Sequence, residues 1–139
     1  MQTKMTAAEV QDFLAEVFPQ IDDRFVVEEV APMRARVRMK VREDNLRPGG
    51  TVSGPAMFTL ADCGFYIGVL AMIGREALTV TTNCSIDFMR KPAPGDLIGE
   101  VVIHKLGRVL AVGDVLIFSE GVAAPVARAS LTYSIPPVR

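Results

Sequence analysis

From Ser53 to Gly74 the chain reads SGPAMFTLADCGFYIGVLAMIG, and Asp62 is the one charged residue in that run. Burying a carboxylate unpaired in such surroundings costs several kcal/mol even after relaxation, so Asp62 needs a partner or a task. Gly54 stands where a helix would begin, and the first N–H groups of a helix have no intrahelical acceptor. That end carries partial positive charge and suits a polarised carbonyl or a developing oxyanion. A desolvated carboxylate can act as a general base or a nucleophile. Asp62 lies eight residues beyond Gly54, a little over two turns and roughly 12 Å along a helix axis. The two would not touch within one subunit unless the geometry bends back, whereas a subunit interface could bring Asp62 of one chain to Gly54 of another. The plainer alternative is that Asp62 only hydrogen-bonds to neighbouring backbone or threonine groups.

Other chemistry is poorly supported. His104 is the sole histidine, in alternation with Glu100 and Val102 on a strand. No GxSxG turn precedes a candidate serine, so a Ser-His-Asp triad is set aside. Gly49, Gly50 and Gly54 form neither a P-loop nor a dinucleotide fingerprint. Cys63 and Cys84 have apolar or hydroxylic neighbours and no metal-like spacing, and read as small buried hydrophobes. No metal or cofactor is expected. Met57, Phe58, Phe65 and Tyr66 would serve equally as pocket lining or as core.

The elements that must position these residues follow from composition and period. At 139 residues with 50% hydrophobic and 22% charged side chains, the chain fits one globular domain spanning 1–139. A net charge of −1 argues against nucleic acid as a partner. The start, MQTKMTAAEVQDF, lacks an apolar signal core of the usual length, which gives the expectation of a cytoplasmic protein. Thr6-Ala7-Ala8-Glu9 matches a capping box, and Val10, Phe13, Leu14 and Val17 follow at helical spacing, predicting an N-terminal helix within 1–20. Met33, Ala35, Val37, Met39 and Val41 alternate with Arg34, Arg36, Arg38 and Lys40, a half-buried antiparallel strand whose cations face solvent and nearby acids. Residues 42–51 form a loop, and residues 54–73 form the long apolar helix with Pro55 in its first turn. The central Asp62 and the internal Gly64 and Gly68 argue against a membrane span. Four strand segments joined by short turns complete the chain, and short turns predict antiparallel neighbours. A helix apolar on nearly all sides must be surrounded. The expected fold is therefore α+β: a curved antiparallel sheet of five to six strands wrapped around one central helix, the hotdog architecture. Oligomerisation would cover what one sheet leaves exposed.

Taken together, SGPAMFTLAD, TVTTNCSIDFMRKPAPGD, GRVLAVGDVLIF and VARASLTYSI resemble, in that order, the PaaI-like branch of the hotdog-fold acyl-CoA thioesterases, over about residues 25–135. The family hallmark is His-Gly-Gly followed by Leu-Ala-Asp, the Asp nine residues after the His. Here Ser53 stands at the His, Gly54 and Pro55 at the two glycines, and Asp62 at the acid. The resemblance implies metal-independent hydrolysis of an acyl-CoA thioester at a dimer interface. The Gly54 N–H would polarise the carbonyl, Asp62 would activate water or attack directly, and Thr81 would place the water or nucleophile. It further suggests Arg47, Ser53, Pro55, Tyr66 and Asn83 as substrate-binding candidates, and Arg90, Lys91 and Arg108 as cations for coenzyme A phosphates. Relatives often carry Asn or Gln where this chain has Arg47, which could also grip a carboxylate on the acyl group. The expected protein is a homotetramer of two dimers acting on an aryl- or medium-chain acyl-CoA, with coenzyme A as part of the substrate. Two alternatives share the fold: a hotdog protein that binds acyl-CoA without hydrolysing it, and a hotdog hydratase. The hydratase fits less well because no His follows Asp62 until His104.

Overall fold

A helix without a polar face has to be enclosed, and one sheet does most of the enclosing. In the computed structural model, which describes residues 2–21 and 23–137, the order is α1 (Ala7–Val17), β1 (Phe25–Ala31), β2 (Arg34–Met39), α2 (Gly54–Ile73), β3 (Val80–Phe88), β4 (Leu97–Leu106), β5 (Leu110–Ser119) and β6 (Ala127–Ser134). The six strands form one antiparallel sheet in the order β1-β2-β4-β5-β6-β3. Its concave face holds α2, in which Leu60, Ala61, Phe65, Ile67, Val69, Leu70 and Ala71 are fully buried. By length and composition α2 could cross a membrane, but 78% of its apolar window is buried against the rest of the chain. The hotdog expectation and the bounds of the central helix both hold.

Two local expectations change, while the N-terminal helix lies within 1–20 as its sequence signals require. Its capping box is present, with Thr6 N–H donating to Glu9 Oε1 at 3.0 Å and Glu9 N–H donating to Thr6 Oγ1 at 3.2 Å. It ends at Val17 because Pro19 cannot continue it, and a 3-10 turn at Pro19–Ile21 follows. The alternating strand loses both ends: Met33 takes φ 62° in the β1–β2 turn, and Val41 lies beyond Met39. Its cations do meet acids, with Arg36 paired to Glu28 and Glu100, and Arg38 to Glu28, Asp96 and Glu120. Finally, β3 does not neighbour β4 despite the short 89–96 connection. Strand β4 already has β2 and β5 as neighbours, so β3 pairs with β6 and becomes a sheet edge.

The two edges differ. On β1, the Gln11 side chain of α1 imitates a strand: Nε2 donates to Phe25 O at 2.9 Å, and Oε1 accepts from Val27 N at 2.8 Å. That edge is covered. Strand β3 has no such cover among the described residues, and Val80, Phe88 and neighbouring Met89 are 56%, 53% and 43% exposed.

Helix and sheet approach most closely where glycine removes the obstacle. A Cβ on Gly113 of β5 would lie 2.2 Å from Val102 O and 2.6 Å from Phe65 Cε1, and one on Gly68 would lie 2.9 Å from Val101 Cγ1. Gly113→Ala is therefore expected to destabilise the fold by about 2–3 kcal/mol through overpacking. Urea unfolding should show a lowered midpoint, and a wild-type midpoint would contradict this tight helix–sheet contact.

Candidate active site

Asp62 sits in the third turn of α2, half-buried on the side that meets β3 and β6. Thr81 and Tyr133 are direct cross-strand partners, so their side chains share one face of the sheet, and both converge on the same carboxylate oxygen. Thr81 Oγ1 donates to Asp62 Oδ1 at 2.5 Å, and Tyr133 Oη lies 2.6 Å from Oδ1 and 2.7 Å from the Asp62 main-chain oxygen. A β-bulge makes this possible. The β3–β6 register slips between Thr81 and Asn83, leaving Thr82 as the extra residue. Cys84 and Ile86 are half-buried while Ser85 and Asp87 are exposed, so uninterrupted alternation would turn Thr81 outward. The bulge re-aims it toward the helix.

Asp62 thus has the hydrogen-bond partners of the plainer reading and still opens onto a cavity of about 380 Å³. Val17 and Phe18 at the end of α1, Gln20, Tyr66, Ala77 and Thr79 are part of its wall. Tyr66 is fixed by donating to Ala77 O at 2.8 Å and by an edge-on contact with Phe18 at 6.2 Å. Among the aromatic candidates only Tyr66 lines this cavity. Phe65 is core, and Phe58 lies on the exposed face of α2 beside Pro55.

Gly54 opens onto a second cavity of similar size, shared with Arg47, Met57, Phe88, Arg90 and Lys91. Within one subunit, then, Gly54 and Asp62 face different cavities, as their spacing along the helix requires. The N–H groups of the first turn can be accounted for one by one. Ser53 is the N-cap, and its Oγ accepts from Ala56 N at 3.2 Å, while Ser53 O accepts from Met57 N at 3.1 Å. Pro55 has no N–H. Gly54 is left as the first-turn donor without an acceptor among the described residues. Ser53 therefore works as a helix cap, and Pro55 occupies a position that proline tolerates. Asn83 is exposed beside the bulge, and Arg108 lies in the exposed β4–β5 turn. Neither lines the two cavities. Arg90 donates to Pro125 O at 2.6 Å.

Tyr133 is the member of the site that sequence reasoning missed. It is one of two tyrosines and occupies an inward position of β6, where a tyrosine reads as core. Its packing on Phe65, at 5.2 Å between rings, fits that reading. Only its hydroxyl, 2.6 Å from Asp62 Oδ1, sets it apart. Burial, the Asp62 charge and the hydrogen bond to it all raise the Tyr133 pKa, so the phenol keeps its proton. Among the described residues no three His, Cys, Asp or Glu side chains cluster as a metal site.

A family model, the thioesterase superfamily, matches residues 49–125, more than half of the chain and the stretch that carries Gly54, Asp62 and Thr81. The chain belongs to the thioesterase superfamily. This thioesterase-superfamily protein is similar to a candidate thioesterase from Silicibacter sp. TM1040, with 56% identity, 99% of this chain and 96% of that one covered, and a TM-score of 0.91. It is also similar to a mutant of the phenylacetic acid degradation protein PaaI from Thermus thermophilus, at 28% identity with 85% and 99% coverage and a TM-score of 0.71. A hypothetical thioesterase protein from Streptococcus pneumoniae, solved with coenzyme A, shares the fold at 22% identity, 94% and 98% coverage and a TM-score of 0.76. Comparison with curated proteins returns no match.

The thiol beside the carboxylate does not compete with it. Burial, followed by the Asp62 charge, pushes the Cys63 pKa up to about 12, so the thiol stays protonated and a poor nucleophile at neutral pH. Cys63 is expected to resist iodoacetamide at pH 8 in the native protein and to react after unfolding. Peptide mass mapping of alkylated samples checks this, and rapid native labelling would contradict it.

Proposed function

We propose that this protein is a cytoplasmic, homo-oligomeric acyl-CoA thioesterase that hydrolyses the thioester of an aryl- or medium-chain acyl-CoA, without a metal. The observation that carries the reading is Asp62, held by two hydroxyl donors and open to a cavity walled by Phe18, Tyr66 and Val17. In this reading the carboxylate is the general base or nucleophile. The unsatisfied Gly54 N–H, with the positive end of α2 behind it, stabilises the developing oxyanion. Membership of the thioesterase superfamily supports the reaction class. A relative of the same fold solved with coenzyme A supports the substrate class.

The two halves of the site lie on different subunits in this proposal, and β3 supplies the join. It is the uncovered edge, and an uncovered edge strand can pair with a second copy. At one end of β3, Thr81 touches Asp62. Toward the other, Phe88 lies against Gly54, its ring carbon 3.3 Å from where a Cβ on Gly54 would be. Antiparallel pairing of two β3 strands about a two-fold axis near their midpoint, Cys84–Ser85, sets the Thr81 end of each against the Phe88 end of the other. Asp62 then faces the Gly54 of the second copy. Arg47, Arg90 and Lys91 border the Gly54 cavity and would meet the coenzyme A phosphates or an anionic acyl substituent. Two such dimers would form the tetramer.

Asp62→Asn is expected to lower hydrolysis by roughly 10² or more while leaving the oligomer intact, as read by free-thiol release over a panel of acyl-CoA esters and by gel filtration. Full activity in the variant would overturn the assignment. Tight binding with no thiol release by the wild type would favour the non-hydrolytic reading. Gly54→Pro removes the donor and keeps the backbone, because Ser53 is already extended at φ −74°, ψ 157° and proline suits the first helical position; its Cβ comes within 3.3 Å of the Phe88 ring, which must shift slightly. The two inactive variants, unfolded and refolded together, should recover roughly a quarter of wild-type activity if the site is shared, since half of the dimers would carry one intact site. No recovery would place both groups in one subunit.

A further inference from the structure

Tyr133 does more than fill the core between β6 and α2. Its hydroxyl reaches both the side-chain Oδ1 and the main-chain oxygen of Asp62, at 2.6 and 2.7 Å. The main-chain oxygen already lies within the hydrogen-bonded body of α2, so the phenolic proton is better placed on Oδ1. A contact to both ends of one residue restrains the torsions between them, which fixes the rotamer of Asp62. Thr81 Oγ1 donates to the same Oδ1 at 2.5 Å from the neighbouring strand. Oδ1 is thus saturated, and Oδ2 has no hydrogen-bond partner among the described residues.

We propose that Tyr133 is a positioning residue: together with Thr81 it holds Oδ1 of Asp62 and so presents Oδ2 to the cavity as the oxygen that reacts. This inference rests on the reading of Asp62 as base or nucleophile. The arrangement separates the two oxygens by role, since one anchors and the other is left to take a proton from water or to attack the thioester carbon. The two supports differ in rigidity. Thr81 stands on the exposed edge strand, whereas Tyr133 is 2% exposed and packed against Phe65 and Tyr66. The interior strand therefore contributes the more firmly held donor.

The titratable groups around Asp62 are Cys63 and Tyr66 on α2, Cys84 on β3 and Tyr133 on β6, with Arg24 ahead of β1 acting on Cys63. Val17, Phe18 and Gln20, at the end of α1 and just after it, bring no charge. Burial and the neighbouring negative charge raise the pKa values of these thiols and phenols, so they remain protonated and uncharged through the acid range.

Tyr133→Phe keeps the ring and its packing and removes only the donor. It is expected to lower kcat roughly tenfold or more, as for loss of one hydrogen bond to a charged group, with KM little changed. The acid limb of kcat/KM should move to higher pH, because a carboxylate that loses a donor holds its proton more tightly. Site-specific fluorotyrosine at position 133 strengthens the donor without altering the fold, and should move the limb to lower pH. Wild-type kcat and an unmoved limb in Tyr133→Phe, alongside an inactive Asp62→Asn, would overturn the role of Tyr133 alone. A fall in kcat with the limb unmoved in both Tyr133 variants would make the effect merely structural and would also overturn it. An active Asp62→Asn would overturn the base assignment and this inference with it.

Discussion

The burial of α2 is the constraint on which the rest of the structure depends. Its 20 residues span about 30 Å and offer water almost no polar side chain, so the chain must build a wall around them. A flat sheet would cover one side only. The six antiparallel strands instead curve around the helix, with the fully buried Leu60 against Gly99 of β4 and Phe65 against Gly113 of β5. Gly68 and Gly113 set how closely helix and sheet approach, because at both the space a side chain would need is already taken by a neighbour.

Placing a carboxylate in that helix is tolerable because enclosure also supplies its partners. The strands that wall off α2 are the ones that carry Thr81 and Tyr133, and their cross-strand pairing puts both hydroxyls on one oxygen. A carboxylate held this way has two hydroxyl partners on Oδ1, and its Oδ2 has none among the described residues. The same helix serves at its other end, where Ser53 accepts from two N–H groups and leaves the one at Gly54 open. One apolar helix therefore carries an acid near its middle and an electrophilic corner at its start. The two lie on different cavities of one chain, and the proposed site joins them by a second copy.

The departures from the family hallmark acquire physical meaning in this frame. A serine in place of histidine is a good N-cap, so the loop-to-helix junction is held by a different bond. A proline in place of glycine removes an N–H at a position whose neighbour, Gly54, keeps its own. Arg47 borders the Gly54 cavity and not the Asp62 cavity of its own chain.

Much of this was legible in the residues themselves. The period-two alternation of Ala35, Val37 and Met39, the capping box at Thr6 and the long apolar run of α2 fixed element types, since hydrophobic period and cap chemistry are local properties. The anomaly of Asp62 was equally visible, because a lone charge in an apolar run is costly wherever it is buried. Three things were not legible. The placement of β3 beside β6 depends on which strand edges are already filled, a fact about the whole sheet. The inward turn of Thr81 depends on a bulge, and one extra residue reverses the facing that alternation predicts. The role of Tyr133 depends on 2.6 Å between groups 71 residues apart. Sequence by itself determined what had to be buried and where a charge would need company; tertiary structure alone decided which hydroxyls provide it, because that is settled by register between strands distant in the chain.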